Sequence, residues 1–323
     1  MGRAALRLAT EGIELIFGDR LRAGQMSGWV ADADDGWRAV ADRGIDAAYD
    51  RFPSRWYPER YQALCRERGD APLANPPALI RLCQDKLATQ TFAEGLDVPI
   101  PEIEADPTHF AERLVEWPAG VLKPRFGTAG RDVSFIRAGQ PMPERRPLPA
   151  PYDIPGRTTM EVDGPWFLQR AVPPLAPWRG VCVRVAAQRQ VDGTWHRCPA
   201  VARYSDRDPV INAARGSQIS PAAEILPMDT QAEVARLCER VCQGLARAPG
   251  GAWMVEVGMD FAIDSDARPW LLELNARPLG RLGALAARRP EAFAEAHLQA
   301  CMRPLRFLAA AAQRMRRAPR AQS

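Results

Sequence analysis

Three oxygen-bearing side chains near the C-terminal end of the sequence have a spacing that suits a cation site. Asp260, Glu273 and Asn275 lie in the segment VEVGMDFAIDSDARPWLLELNAR at positions 255–277. Apolar and polar residues alternate on both sides of a polar centre, which predicts a β-hairpin. In the expected register Asp260 lies opposite Glu273 and Gly258 lies opposite Asn275, so that the three side chains share one face.

A turn centred between Asp266 and Ala267 fixes this register. The same register predicts that Glu256 lies opposite Arg277, again on the polar face. The other face is then apolar and can pack on a core; it carries Val255, Val257, Met259, Phe261, Ile263, Trp270, Leu272 and Leu274.

Adjacent carboxylates repel each other unless a cation lies between them. A small set of oxygen ligands suits Mg²⁺, whose remaining positions are taken by water and phosphate. We therefore predict that Asp260, Glu273 and Asn275 bind Mg²⁺, with Mn²⁺ as the alternative ion. The simpler interpretation is the solvated outer face of a surface hairpin, since exposed faces are commonly charged.

A loop of small residues lies between two predicted strands at 120–124 and 133–136. Such a loop can bring backbone N–H groups against phosphate oxygens, because no large side chain intervenes. Lys123, at the end of the first strand, would add a positive charge there. The alternative is an ordinary hairpin turn. The predicted phosphate-binding residues of this loop are Phe126, Gly127, Thr128, Ala129 and Gly130.

The chain has 43 basic residues, of which only Lys86 and Lys123 are lysines. In a composition so biased towards arginine, a lysine is expected to persist where a compact ammonium is needed and a planar guanidinium does not fit. Persistence by chance at the surface is the alternative. We predict that both lysines bind phosphate.

Length and composition narrow the class of protein. A chain of 323 residues is long enough for two or three lobes, and 46% hydrophobic with 25% charged residues is typical of a soluble globular protein. The sequence contains neither a membrane-spanning run nor a recognisable signal peptide, so we expect a cytoplasmic protein without a membrane partner. Seven unevenly spaced cysteines do not indicate a disulfide framework, and a net charge of +4 does not indicate nucleic-acid binding.

The pattern of residues predicts which helices and strands contain the candidate residues. Apolar periodicity predicts a helix over 78–94, with Lys86 inside it. Asn75-Pro76-Pro77 marks a boundary before that helix. Strands are predicted at 166–169 and at 181–188, and the chain ends in an arginine-rich helix and tail.

Several further motifs follow one another in a particular order. Asp85-Lys86 is followed by 98–101 (VPIP), 122–124 (LKP), 167–169 (FLQ), Arg184, Asp260 and 273–278 (ELNARP). This order and spacing resemble the ATP-grasp superfamily, as in D-alanine ligase and glutathione synthetase, over roughly residues 76 to 285. Finer details are similar to the YheC/YheD-like, endospore coat-associated branch, namely 49–55 (YDRFPSR), 166–170 (WFLQR), 193–195 (GTW), 210–212 (VIN) before Gly216 and 270–275 (WLLELN).

The resemblance implies an α/β (α+β) fold in which two α+β lobes enclose ATP. It implies a small N-terminal α/β lobe over residues 1–77, an ATP-grasp domain over 78–305, and a basic C-terminal tail over 306–323.

The resemblance also implies roles for individual residues. Lys86 and Lys123 match the two lysines that hold ATP phosphates, and Arg184 matches an arginine that stabilises the transferred phosphate. Gln169 and Arg170 match the segment that reads adenine, although many relatives have a glutamate at the first of these positions. Asn212 and Gly216 match a loop near the phosphates or the acceptor, and Asp260, Glu273 and Asn275 match the magnesium ligands.

The implied activity is that of an ATP-dependent carboxylate–amine ligase, which forms a carbon–nitrogen bond through an acyl phosphate and releases ADP. The implied partners are ATP, Mg²⁺ and small-molecule or peptide substrates, whose identity the sequence does not give; a homodimer is left open. Two alternatives remain at this point. One is a non-catalytic, ATP-binding or coat-like structural protein, and the other is a small-molecule kinase on the same fold.

Overall fold

We describe the structure from a computed structural model, which is α/β with three principal antiparallel sheets and one two-stranded ribbon. The residues it describes are 2–33, 36–51, 58–126, 133–143, 148–154, 157–160, 166–211, 216–278 and 281–317. None of the helices it describes is long and apolar enough to cross a bilayer.

The N-terminal part begins with helix α1 (Gly2–Thr10). It continues into an antiparallel meander of β1 (Phe17–Arg22), β2 (Gln25–Ala31) and β3 (Trp37–Gly44), and then into helix α2 (Pro58–Glu67). Helix α1 buries Ala4 and Leu8 against Met302 and Leu305 of the C-terminal helix. The two ends of the chain therefore share a small apolar core.

A four-stranded sheet follows, with strand order β4-β9-β5-β6. Its strands are β4 (Ile103–Glu104), β5 (Ala119–Pro124), β6 (Ser134–Arg137) and β9 (Trp166–Arg170), and helix α5 (Phe110–Glu116) packs on it. Between β6 and β9, strands β7 (Leu148–Ile154) and β8 (Arg157–Met160) form the two-stranded ribbon.

The single helix predicted over 78–94 is wrong, because the chain forms α3 (Pro77–Gln84) and α4 (Lys86–Glu94) with a break at Asp85. The backbone of Asp85 is extended, and its carboxylate accepts from the N–H groups of Leu87 (3.0 Å) and Ala88 (3.3 Å). Asp85 also accepts two hydrogen bonds from Arg125, at 2.8 and 2.6 Å. A helix N-cap and a distant ion pair thus outweigh helical periodicity, and Lys86 starts a helix rather than lying within one.

The larger sheet has strand order β13-β12-β10-β14-β15, with β11 paired to β10. Helix α6 (Met228–Arg247) packs against it, and their shared apolar residues form the main core. The strands are β10 (Gly180–Arg189), β11 (Trp195–Arg197), β12 (Val201–Ser205), β13 (Gln218–Pro221), β14 (Glu256–Ile263) and β15 (Pro269–Asn275).

The register of the β14–β15 hairpin agrees with the prediction at its functional end, where Asp260 pairs with Glu273 and Gly258 with Asn275. A bulge beyond this point pairs Phe261 with Leu271, not with Leu272 as predicted. Leu271 is therefore fully buried in the core, whereas Leu272 and Trp270 are only partly buried. The bulge inserts one residue and reverses which side chains face the core.

The predicted pairing of Glu256 with Arg277 is also wrong. Strand β15 ends at Asn275, and Glu256 pairs with Gln188 of β10 on the other side.

The C-terminal region forms α7 (Arg281–Arg288) and the long helix α8 (Pro290–Arg317). The expected tail over 306–323 is helical as far as Arg317, and it buries Phe307, Leu308, Ala311 and Ala312. The apolar residues of this segment lie on one helical face. The many exposed arginines suggest a tail in the sequence, but the segment is a packed helix as far as Arg317.

Candidate functional site

Asp260 lies at the centre of the site, on β14, an interior strand of the larger sheet between β10 and β15. Arg184 of β10 is its cross-strand partner and donates from Nε to Asp260 Oδ1 at 2.6 Å, with a second bond to the other oxygen. Arg203 of β12 places Nη2 3.1 Å from Asp260 Oδ1. Burial opposes ionisation of the carboxyl group, which is 2% exposed, but the two guanidinium groups outweigh it and lower the pKa of Asp260.

Glu273 and Asn275 lie beside Asp260 on β15, as predicted. Asn275 Nδ2 donates to Glu273 Oε1 at 3.2 Å, and Arg184 Nη2 lies 3.4 Å from the same oxygen. Burial and the neighbouring Asp260 carboxylate raise the pKa of Glu273. The strands thus hold two carboxyl groups close enough to repel each other.

The chemistry of these three side chains fits Mg²⁺ bound together with a phosphate. No group of three or more His, Cys, Asp or Glu side chains among the described residues forms a complete metal site. Magnesium does not require one, since it is commonly held by one or two carboxylates with water and phosphate completing its shell. Asn275, as an amide, can contribute an oxygen if its side chain turns away from Glu273. A cation here would relieve the repulsion that raises the pKa of Glu273.

The two lysines lie near the hairpin on different elements, Lys123 on the four-stranded sheet and Lys86 on helix α4. Lys123 of β5 is 8% exposed, and its ammonium lies 5.7 Å from the centre of the Phe167 ring. Burial, reinforced by the charge of Lys86 and opposed by Glu273, lowers the pKa of Lys123 to about 8. The site therefore brings Lys123 within electrostatic range of a carboxyl group on the opposite sheet.

Lys86 lies at the N-terminus of α4 and donates from Nζ to the carbonyl oxygens of Pro124 (3.1 Å) and Arg125 (3.5 Å). These carbonyls directly follow Lys123 along the chain. The Lys86 charge partly opposes the rise in the pKa of Glu273 that burial and Asp260 cause. Both lysines are thus brought together with the hairpin, as the sequence predicts.

The two residues predicted to lie near adenine are differently placed. Gln169 is buried on β9, whereas the Arg170 side chain is half exposed and bonds Glu102 at 2.8 Å. The backbone N–H of Arg170 also donates to the Glu102 carbonyl, at 2.8 Å. The Arg170 N–H is thus used within the structure, and one of its guanidinium nitrogens pairs with Glu102.

Part of the predicted phosphate loop lies outside the described residues, namely Gly127, Thr128, Ala129 and Gly130, as does Asn212. Phe126 is described; it bridges to Asp85, and the Arg125 guanidinium lies 5.3 Å from its ring centre. Gly216 adopts a left-handed conformation with φ of 74°.

Two arginines near the site are not among the residues predicted from the sequence. Arg203 contacts Cys182 Sγ at 3.0 Å in addition to Asp260, and Arg281 is close enough that burial, Arg203 and Arg184 together lower its pKa. Among the described residues, neither Arg203 Nε nor Arg281 Nε has a hydrogen-bond partner. The only signal for Arg203 is a charge inside an otherwise apolar strand. Arg281 has no comparable signal.

The comparisons with known proteins agree with this geometry. A family model described as "YheC/D like ATP-grasp" matches residues 169–302. No curated protein sequence matches the chain.

Among solved structures, D-alanyl-alanine synthetase A from Vibrio cholerae aligns with a TM-score of 0.55 at 12% identity, over 94% of this chain and 93% of that one. Carboxyaminoimidazole ribonucleotide synthase from Aspergillus clavatus, complexed with ATP, aligns with a TM-score of 0.47 at 14% identity, over 70% of this chain and 53% of that one. D-cycloserine synthetase aligns with a TM-score of 0.49 at 16% identity, over 84% of each chain.

The chain spans only 53%, 50% and 60% of three carboxyaminoimidazole ribonucleotide synthases that it matches. At such low identities the structural likeness shows the fold alone. The chain therefore has the ATP-grasp fold and, over residues 169–302, matches the YheC/D-like branch, which confirms the resemblance predicted from the sequence.

Proposed function

We propose that this protein is an ATP-dependent carboxylate–amine ligase. The observation that carries the proposal is the convergence of Asp260, Glu273 and Asn275 with Lys86 and Lys123 between two sheets of an ATP-grasp fold. The solved relatives include synthetases and a biotin carboxylase domain in complex with MgADP.

Charge supports a polyanionic nucleotide as the ligand. Among the residues that the structure describes, the site groups five basic side chains with the acidic side chains of Asp260 and Glu273; the basic ones are Lys86, Lys123, Arg184, Arg203 and Arg281. A buried excess of positive charge is costly unless an anion compensates it. ATP phosphates would provide that charge, with Lys86 and Lys123 as the contacts.

Magnesium would be held by Asp260, Glu273 and Asn275, and when bound it would neutralise charge on the β- and γ-phosphates. Arg184 would serve two purposes. Its bonds to Asp260 orient the carboxylate, and its guanidinium would stabilise the charge that develops on the transferred phosphoryl group.

The reaction would proceed in two displacements. A carboxylate oxygen of the acid attacks the γ-phosphorus of ATP, the bond to the bridging oxygen breaks, and ADP leaves. The amine nitrogen then attacks the carbonyl carbon of the acyl phosphate, inorganic phosphate leaves, and the amine loses a proton to solvent. Lys123 and Arg184 would stabilise charge in the first step. We assign phosphate binding and the exclusion of water to residues 127–130, and a part in catalysis to Asn212, as the resemblance implies.

The proposal is tested by measuring ADP release while pools of amino acids and small carboxylic acids are supplied in combination. We expect ADP release that requires an acid and an amine together, with one free phosphate for each ADP. Glu273→Gln serves as the inactive control. Phosphate recovered on a product instead would indicate a kinase, and nucleotide binding without turnover under any combination would favour a non-catalytic protein.

A further inference from the structure

We propose that an N-terminal clamp, formed by Tyr49, Asp50, Arg51 and Asn75, positions the end of β15 and thereby Glu273 and Asn275. The clamp belongs to the part of the chain that precedes the ATP-grasp sheets, and none of its four residues is part of the site described above. The effect of the clamp on Mg²⁺-ATP binding rests on the proposed function, whereas the contacts of the clamp do not.

The first contact of the clamp is a buried ion pair with the residue two positions after Asn275. The Asp50 carboxylate, 5% exposed, bonds Arg277 Nη2, and the Asp50 carbonyl accepts from Arg277 Nε at 3.3 Å. The Arg277 guanidinium also lies 5.3 Å from the centre of the Tyr61 ring. Arg277 is therefore held by the N-terminal region on more than one side.

The second contact joins β14 and the segment after β15 to Arg51. Arg51 Nη1 lies 2.6 Å from Glu256 Oε1 on β14, and Arg51 Nη2 donates to the Pro278 carbonyl at 3.1 Å. The Tyr49 hydroxyl donates to the same Glu256 carboxylate. Burial and the Glu256 charge raise the pKa of Tyr49, so the phenol keeps the proton that it donates.

The third contact replaces strand pairing where β15 has ended. Asn75, 1% exposed, donates from Nδ2 to the carbonyls of Glu256 (2.9 Å) and Ala276. Its Oδ1 accepts from the N–H of Val255 at 2.8 Å. One amide thus bridges the start of β14 and the residue after β15. Asn75 has φ of 52°, and its place in this network compensates for that uncommon conformation.

These contacts reach the site because the turn after β15 is packed tightly against β14. A methyl group at Gly258 would lie 2.8 Å from Pro278 Cβ and 3.4 Å from Asn275 Cβ. Gly258 is two residues from Asp260. A shift of the turn would therefore be transmitted to Asn275 and to the spacing between the carboxyl groups.

The clamp is not required merely to attach the N-terminal helix to the rest of the chain. Arg306 bonds Glu11 at 2.7 and 2.6 Å, and Arg7 bonds Glu295 at 3.2 Å. Both ion pairs join the first residues of the chain to α8. Neither involves a residue of the β14–β15 hairpin. They provide a matched control, since Glu11→Gln breaks an ion pair of the same region without touching the turn at Arg277.

The experiment compares Asp50→Asn with Glu11→Gln, first by amide hydrogen exchange without nucleotide. We expect faster exchange over residues 273–278 in Asp50→Asn and unchanged exchange there in Glu11→Gln. Calorimetry with ATP, with and without Mg²⁺, then measures the consequence. Loss of a group that supports metal ligands typically weakens affinity about tenfold to a hundredfold, and we expect that loss in the Mg²⁺-dependent part for Asp50→Asn only.

Gly258→Ala tests the same turn from the opposite side while leaving the clamp intact, so it serves if Asp50→Asn does not fold. We expect faster exchange over 273–278 in this variant as well. Unchanged exchange over 273–278 in a folded Asp50→Asn, or an equal change in Glu11→Gln, would overturn the inference. Failure of the wild-type protein to bind Mg²⁺-ATP would instead count against the proposed function, while the exchange result would still decide whether the clamp positions the turn.

Discussion

The two halves of the site differ in whether a buried charge is compensated by another side chain. On the larger sheet, Asp260 is buried but compensated, because Arg184 and Arg203 both bond its carboxylate. On the four-stranded sheet, Lys123 is similarly buried yet forms no ion pair with any described residue. The first half is assembled without a ligand, whereas the second half has a charge that a ligand would compensate.

The hydrophobic cores beneath the two halves also differ, and the difference is in their size. The larger sheet lies on the main core, which is shared with α6 and includes Met259, Phe261 and Leu274. The four-stranded sheet lies on a small cluster made by Phe110, Leu114, Trp117, Leu122, Ile136 and Leu168. The half proposed to bind the metal therefore has the more extensive core, and the half that contains Lys123 is the one whose energetics should respond to nucleotide.

The largest effect on stability is expected at Asp260. Asp260→Asn leaves Arg184 and Arg203 buried without their carboxylate, and removal of one member of a buried ion pair typically costs about 3 to 5 kcal/mol. Chemical denaturation should show this loss in the free energy of unfolding. A loss below about 1 kcal/mol, the range of an exposed pair, would contradict the contrast between the two halves.

Lys123→Met should change stability in the opposite direction. The folded pKa of Lys123, about 8, is below its ordinary value of 10.5, so the unfolded chain binds this proton more tightly. Burial of the charged form therefore destabilises the wild type below pH 8, and the variant should be more stable by about 1 to 3 kcal/mol at pH 7. The difference should shrink as the pH rises from about 8 to 10.5.

The same charge predicts the pH dependence of nucleotide binding. Phosphate binds the ammonium form, so the affinity for ATP in the wild type should fall above pH 8 by up to about tenfold per pH unit. Lys123→Met should bind ATP more weakly and lack this dependence. Calorimetric titrations at pH 7, 8 and 9 would check it, and an identical pH dependence in the two proteins would remove Lys123 from the phosphate site.

The smallest effect on stability is expected at Glu273, although its effect on catalysis should be complete. Glu273 is partly exposed, and its neighbour Asp260 raises its pKa, so a neutral amide relieves repulsion. Glu273→Gln should therefore leave the free energy of unfolding within about 1 kcal/mol of wild type, because relief of this repulsion offsets the lost charge contact with Arg184. Thermal melting checks the first expectation and ADP release checks the second. A large loss of stability would mean that Glu273 is structural.

The sequence predicts the functional end of the hairpin because polar and apolar residues alternate there without ambiguity. It does not predict the bulge, since Leu271 and Leu272 are equally apolar and only packing selects between them. It does not predict the helix break at Asp85, which depends on Arg125 forty residues later. Arg203 and the Asp50–Arg277 pair are missed for the same reason, because long-range contacts leave no local pattern.

The most direct test of the central claim is calorimetric titration of the folded wild-type protein with ATP, with and without Mg²⁺. We expect binding that is strengthened by Mg²⁺ in the wild type, and loss of that strengthening in Glu273→Gln. Absence of binding heat from the folded wild type, or equal Mg²⁺ dependence in the two proteins, would contradict the assignment of the β14–β15 hairpin as the metal–nucleotide site.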